Sequence, residues 1–370
     1  MKRRILVVVG TRPEAVKLAP VVHALRAADW VDCRVLATAQ HRQILDQILA
    51  FFGVRPDRDL DLMRPDQSLA DLTSRMVAAL DPVLADERPD CVLAQGDTTT
   101  VLVAALAAFY RRVPFGHVEA GLRSGDKWSP YPEEMNRRLV GRLADLHFAP
   151  TAGARDHLLA EGVAPASVHV VGNTVIDALL WAARRVDTGK FAPAPGRRLV
   201  LVTAHRREHF GAPFEAIGRG LVALAGRPDV ELLYPVHPNP NVRGPIERLC
   251  GGHPRIRLCE PLDYPDMVAA MQASSLVLTD SGGVQEEAPS LGKPVLVLRQ
   301  ETERPEGIAA GAARLVGPDE HRIVAEANRL LDDAGAYAAM ATVQNPYGDG
   351  RSAPRIAAIL RDVLSGGRTG

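Results

Sequence analysis

The chain has 370 residues, too many for one compact core of ordinary size, so two domains are expected. Hydrophobic residues make up 46% and charged residues 24%, the balance of a soluble globular protein rather than a disordered or membrane chain. Lys+Arg and Asp+Glu both number 44, so net charge offers no pull toward nucleic acid or an anionic membrane.

Met1, Lys2, Arg3 and Arg4 lead into a short apolar run that stops at Gly10. It reads as a first strand, not as a signal peptide. No apolar run approaches the roughly 20 residues of a membrane helix, so no membrane partner is expected. A strand over 5–9 is followed by a helix from Pro13 to about 28, a strand over 34–39 and a helix over 44–52. Then come a helix over 69–84, a strand over 91–94, a helix over 99–110 and a strand over 115–118. Helix 133–144, strand 146–149, helix 152–161 and strand 168–171 continue the alternation. Gly172-Asn173-Thr174 opens a helix to about 186, and the Pro-, Gly- and Lys/Arg-rich stretch 187–198 reads as a linker. The pattern restarts with strand 199–203, helix 214–225, strands 231–235 and 256–258, and helix 264–273. Strands 294–298 and 313–316, helix 322–332 and a last helix over 353–364 complete the chain. Regular β–α alternation predicts parallel sheets covered by helices on both faces, hence two doubly wound, Rossmann-like α/β domains. The cysteines, Cys33, Cys91, Cys250 and Cys259, lack metal-type spacing and read as reduced core residues of a cytoplasmic protein.

One stretch organises the rest: the apolar run 276–279, then Asp280, Ser281, Gly282 and Gly283, then Gln285, Glu286 and Glu287. A strand that turns through glycines into a helix presents unpaired N–H groups and a positive dipole end, which suits a diphosphate. The competing reading is an ordinary helix start with acidic residues. Other polar clusters also follow strands: Gly10-Thr11-Arg12-Pro13-Glu14, Gln40-His41-Arg42, Gln95-Gly96-Asp97-Thr98, His117-Val118-Glu119, His205-Arg206-Arg207-Glu208 and His237-Pro238-Asn239. Ligands of open α/β sheets bind beyond the carboxyl ends of strands, so one active site in an interdomain cleft is expected. Arg12, Lys17, Arg206, Arg207 and Arg304 are its candidate anion contacts. No G-x-G-x-x-G follows the first strand, no P-loop is present, and no Cys/His cluster marks a metal, so no cofactor and no metal are expected. Asp97 and Glu119 stand out as acid/base candidates because each directly follows an apolar strand and is flanked by small residues.

Taken together, Gly10-Thr11-Arg12-Pro13-Glu14 with Lys17, Gly96-Asp97-Thr98, His117-Val118-Glu119, Pro132-Glu133-Glu134, Asn136-Arg137, Gly172-Asn173-Thr174, His205-Arg206-Arg207-Glu208, Asp280-Ser281-Gly282-Gly283, Gln285-Glu286-Glu287, Thr302-Glu303-Arg304-Pro305-Glu306 and Asn345-Pro346-Tyr347 resemble the non-hydrolysing UDP-N-acetylglucosamine 2-epimerases. The resemblance runs over nearly the whole chain. It implies the two-domain GT-B glycosyltransferase-like fold, with an N-terminal domain over 1–171 completed by helix 353–364 and a UDP-binding domain over 172–352. It implies reversible conversion of UDP-N-acetylglucosamine to UDP-N-acetylmannosamine by elimination of UDP and its re-addition, in the service of surface polysaccharide synthesis. By the same resemblance Asp97, Glu119, Glu133 and His205 are catalytic. Arg12, Lys17, Arg137, His237, Ser281, Gly282, Gly283, Glu287 and Arg304 bind substrate. Gln40, Gln43 and Arg206 belong to a region where a second UDP-N-acetylglucosamine activates, and a homodimer is the family expectation. The alternatives are a 2-epimerase of an elaborated, diacetamido uronic acid UDP-sugar, a GT-B glycosyltransferase and a non-catalytic UDP-sugar sensor. A hydrolysing epimerase is disfavoured because no length remains for a fused kinase.

Overall fold

The computed structural model describes residues 2–38, 42–64 and 66–366, without the side chains of 42–44. Among them the chain forms two compact units, one up to Ala178 and again from Gly348, the other Leu179–Tyr347.

The first unit is built on β1 (Arg3–Val9), β2 (Val31–Ala37), β3 (Arg58–Asp59), β4 (Cys91–Gln95), β5 (Phe115–Val118), β6 (Leu146–Ala149) and β7 (Val168–Val170). They pair in parallel in the order β3-β2-β1-β4-β5-β6-β7. β1 is fully buried from Ile5 to Val9, the continuous apolar run of a strand covered on both faces. The strand order reverses beside β1, whose neighbours are β2 and β4, and at such a switch point the loops beyond the strand ends part and leave a crevice. Met76, Leu80, Val101, Ala105 and Phe115 pack this unit's core on one side of the sheet. The last helix, Ser352–Ser365, belongs to this unit: Asp177 caps it by accepting from the N–H groups of Ser352 (3.2 Å) and Ala353 (2.9 Å).

The second unit repeats the plan with β8 (Arg198–Thr203), β9 (Val230–Pro235), β10 (Ile256–Cys259), β11 (Leu276–Thr279), β12 (Val295–Val297) and β13 (Ala313–Leu315). Its order is β10-β9-β8-β11-β12-β13, again all parallel, with the reversal between β8 and β11. Phe214, Leu221, Tyr234, Ile246 and Leu278 lie in one continuous apolar cluster. The expected two doubly wound sheets are therefore present.

Several local expectations need correction. The stretch expected as a linker packs within the second unit: Phe191 is buried, and the Ala194 N–H is bonded to Glu231. Helix Pro240–Cys250 was not expected, because Pro240, Gly244 and Pro245 look like breakers. Pro240 occupies the first turn, where a missing N–H goes unused, and Val242, Ile246 and Cys250 bury one stripe. Helix Ala334–Ala341 was also missed. Its alanines show no amphipathic contrast, and its start is set by the Asp333 carboxylate, which accepts from the N–H groups of Gly335 and Ala336.

Candidate functional site

In the first unit the polar side chains gather where β1, β4 and β5 end. After β1, Gly10 and Thr11 turn the chain into helix Arg12–Arg26. Glu14 closes the turn, accepting from the N–H of Gly10 (2.6 Å) and of Thr11 (3.0 Å), while the Thr98 hydroxyl donates to its other oxygen. The loops after β1 and β4 are thereby tied together. Burial pushes the Glu14 carboxyl up to about 7, against the lowering effect of those hydrogen bonds. Arg12 is exposed at the first helical position, and Lys17 reaches inward from the next turn.

Lys17 meets Glu119, the residue that follows β5. Its Nζ lies 2.6 and 2.7 Å from the two carboxylate oxygens. Asn173 Nδ2 donates to Oε1 at 3.0 Å, and the Gln95 amide donates to Oε2. Three donors, one of them cationic, surround a carboxylate that is only 8% exposed, and each favours its ionised form. Glu119 has φ +65°, the left-handed region that a side chain enters at a cost of about 1–3 kcal/mol. The turn aims the carboxylate beyond the sheet instead of into its face. Next to it, His117 is buried with Nε2 2.7 Å from the Gly96 carbonyl, so Nε2 donates, and burial brings the ring down to about 4.

Asp97 follows β4 and is half-buried. Arg137 holds it with Nε at 2.9 Å and Nη2 at 2.7 Å, and Asn136 Nδ2 donates to its carbonyl at 2.8 Å. Both partners come from helix Glu133–Leu143. Glu134, with its side chain fully buried, aligns Arg137 from behind at 3.2 Å and also accepts from the Ser124 N–H and from Arg138. Burial would raise the Glu134 carboxyl, but those donors outweigh it and hold it below the usual range. Glu133, the first residue of that helix, is half-buried, and among the described residues no hydrogen bond or ion pair draws it into this cluster.

In the second unit the organising stretch forms as expected up to its turn. β11 ends at Thr279, and helix Gly282–Glu287 starts behind Ser281. A methyl built on Gly282 would lie 3.7 Å from the Arg304 guanidinium and 4.0 Å from that of Arg206, so two cations flank these backbone amides. Arg304 is ion-paired to Glu286, and its carbonyl accepts from the Tyr347 hydroxyl at 3.0 Å. Asn345 Nδ2 donates to the Glu286 carbonyl at 2.7 Å. The motif around Asn345 and Tyr347 thus braces the glycine turn and its arginine. Glu287, 8% exposed, accepts from the Tyr264 hydroxyl at 3.3 Å.

His205 and His237 follow β8 and β9 and stack with ring centroids 5.7 Å apart and planes 11° apart. The Asn239 N–H donates to His237 Nδ1 at 3.1 Å, which leaves that ring's proton on Nε2. Asp280 is fully buried beneath His205. Its Oδ2 accepts from the N–H groups of His205 (2.7 Å) and Arg206 (2.8 Å), and its Oδ1 is 3.3 Å from His205 Nδ1. Burial would raise this carboxyl, but His205, His209 and the Arg206 N–H together hold it well below the usual range.

The structure therefore gathers Lys17, Asp97, Glu119 and Arg137 in the first unit. In the second it gathers His205, Arg206, His237, Ser281, Gly282, Gly283, Glu287 and Arg304. Gln40 lies outside the described residues. Gln43 lies in helix Arg42–Phe51, and its side chain lies outside them too. The sequence alone places Gln95, Asn173, Glu14 and Asp280 in polar motifs but gives them no role, and it gives none to Tyr264. Gln95 did carry a signal, being a polar residue that ends an otherwise apolar buried strand.

The family model described as UDP-N-acetylglucosamine 2-epimerase matches residues 23–361. The UDP-N-acetylglucosamine 2-epimerase of Salmonella typhimurium is 51% identical over 369 residues, spanning 97% of this chain and 98% of that protein. The enzyme of the same name from Escherichia coli K12 is 50% identical over 370 residues, with 97% and 98% coverage. A crystal structure of UDP-GlcNAc 2-epimerase from Neisseria meningitidis bound to UDP-GlcNAc superposes with a TM-score of 0.87 at 44% identity, covering 97% of this chain and all of that one. Sequence, fold and the two residue clusters agree, and the chain belongs to the UDP-N-acetylglucosamine 2-epimerase family of isomerases.

Proposed function

We propose that this enzyme interconverts UDP-N-acetylglucosamine and UDP-N-acetylmannosamine by eliminating UDP and adding it back. The observation that carries this reading is the Glu119 carboxylate at the end of β5, supplied with Lys17, Gln95 and Asn173 as donors. The C2–H bond of the sugar is not acidic while the C1–O bond is intact. Leaving-group departure therefore has to lead. Arg206, Arg304 and the amides behind Ser281 stabilise the negative charge that develops on the departing diphosphate. As C1 becomes electron-poor, the C2 proton becomes acidic enough for a carboxylate. The C2–H electron pair then forms the C1=C2 bond of a 2-acetamidoglucal, the carboxylate keeps the proton, and UDP leaves with the C1–O pair. In return, a proton reaches the other face of C2 and the diphosphate oxygen reattaches at C1.

Two faces of C2 call for two proton carriers. Asp97, steered by Arg137, and Glu119 are the pair assigned, with Glu133 as a third carboxylate and His205 beside the leaving group. Glu287, held by Tyr264, is assigned to the ribose hydroxyls. Arg12 and Lys17 face the diphosphate and sugar. A second UDP-N-acetylglucosamine as activator, a homodimer and a role in surface polysaccharide synthesis complete the proposal.

The test is proton NMR of UDP-N-acetylglucosamine with the purified enzyme in deuterated water. UDP-N-acetylmannosamine carrying deuterium at C2 is the expected product. A sugar nucleotide pool unchanged and free of deuterium would sink the substrate assignment.

A further inference from the structure

The acid/base reading gives the buried His209 no task. His209 ends the short turn Arg207–His209, is 4% exposed and packs edge-on against Phe214. Its Nδ1 is 3.3 Å from Asp280 Oδ2, so this nitrogen donates to the carboxylate. Its Nε2 faces Glu208 at 3.8 Å, and Glu208 is itself gripped by Arg299 Nε at 2.7 Å. A large aromatic ring with two polar edges has been buried where either edge left unpaired would carry a desolvation penalty.

We propose that His209 is a positioning residue for His205, acting through Asp280. Oδ2 of Asp280 is filled by the His205 N–H, the Arg206 N–H and His209 Nδ1. Oδ1 is buried, takes none of those donors, and lies 3.3 Å from His205 Nδ1. A buried carboxylate oxygen left open takes a donor when one is in reach, and His205 Nδ1–H is that donor. His209 thus saturates one oxygen and pins the carboxylate plane, so that the other oxygen selects the Nδ1–H tautomer of His205. The Nε2 of His205 is left directed outward, free to receive or return a proton. The stack on His237 fixes the ring plane, and the carboxylate fixes the rotation within it.

The catalytic arm of this proposal rests on His205 taking part in the epimerase reaction, whereas the tautomer arm does not. The full-length protein is labelled with 15N-histidine, and the His205 ring signals are identified by their loss in H205N. Wild type is expected to show a protonated Nδ1 and an unprotonated Nε2 at His205. H209F keeps the ring volume but has no donor, and the His205 signals are expected to move toward a tautomer mixture. H209N places an amide N–H where Nδ1 was and is expected to restore the wild-type pattern. In parallel, H209F should lower kcat by about tenfold or more with KM for UDP-N-acetylglucosamine within about twofold, and H209N should recover most of it. H209Q, whose amide falls at the Nε2 position, replaces H209F should the phenylalanine variant not fold. An unchanged His205 tautomer in the variant without the donor overturns the proposal, as does an H209N variant no better than H209F. A wild-type enzyme without epimerase activity would instead overturn the functional reading, and the tautomer comparison would still decide the positioning role.

Discussion

Lys17 brings a cation to within 2.6 Å of the Glu119 carboxylate, whose donors also include the amides of Gln95 and Asn173. Replacing Lys17 with Met takes that positive charge away from a nearly buried carboxylate. The variant should lose about 2–3 kcal/mol of stability, and the acid limb of its kcat/KM profile should move to higher pH. Urea unfolding and a pH–rate series check the two effects separately. His117 gives a second prediction, with a definite sign. Burial depresses its folded value to about 4 from an ordinary 6.5, so the unfolded chain takes up the proton first as pH falls. Stability from this group is therefore intact above pH 6.5 and drains away toward pH 4, by about 3 kcal/mol in all. Urea unfolding at several values in that window should show a shallower pH slope for His117→Gln than for wild type.

At the scale of elements, the turn after β5 is the tightest place in the site. Gly121 has φ +91°, and a Cβ there would lie 2.1 Å from the Ala154 carbonyl oxygen. Gly121→Ala should destabilise the protein by about 3 kcal/mol or more, through strain and backbone collision together. Gly53 has φ +65° with nothing within 4 Å of a Cβ, so Gly53→Ala should show only the strain, about 1 kcal/mol. Urea midpoints of the two variants separate these contributions. The last helix depends on a cap from a distant part of the chain. Asp177→Ala removes the acceptor for the N–H groups of Ser352 and Ala353 and should cost about 1–2 kcal/mol. Hydrogen exchange should then quicken throughout helix Ser352–Ser365 before it quickens in β1 or β4.

For the whole molecule, the two cores decide how the thiols behave. Cys33, Cys91 and Cys250 are buried, and burial lifts their thiols to about 12, about 12 and about 11. Cys259, half-buried, is raised less. A thiol reagent at pH 8 should titrate at most Cys259 in the native enzyme and all four cysteines in denaturant. Among the described residues no helix is long and apolar enough to cross a membrane.

The sequence by itself determined the alternation of strands and helices, because buried parallel strands are apolar on both faces and their loops collect the polar residues. It placed helix Thr99–Tyr110 and strands β5 and β6 at their observed ends, where threonine, proline and aspartate mark sharp boundaries. It also put Asp97, Glu119, His205 and the Gly282 turn just beyond strands, since that position follows from chain order alone. What only the tertiary structure decided is which side chains meet. Lys17 and Asn173 reach Glu119 from far along the chain, Arg137 reaches Asp97 from another helix, and His209 shares Asp280 with His205. Periodicity reports which face of an element is buried. It carries nothing about the partner across a sheet, and the protonation of a carboxylate or an imidazole is set by that partner.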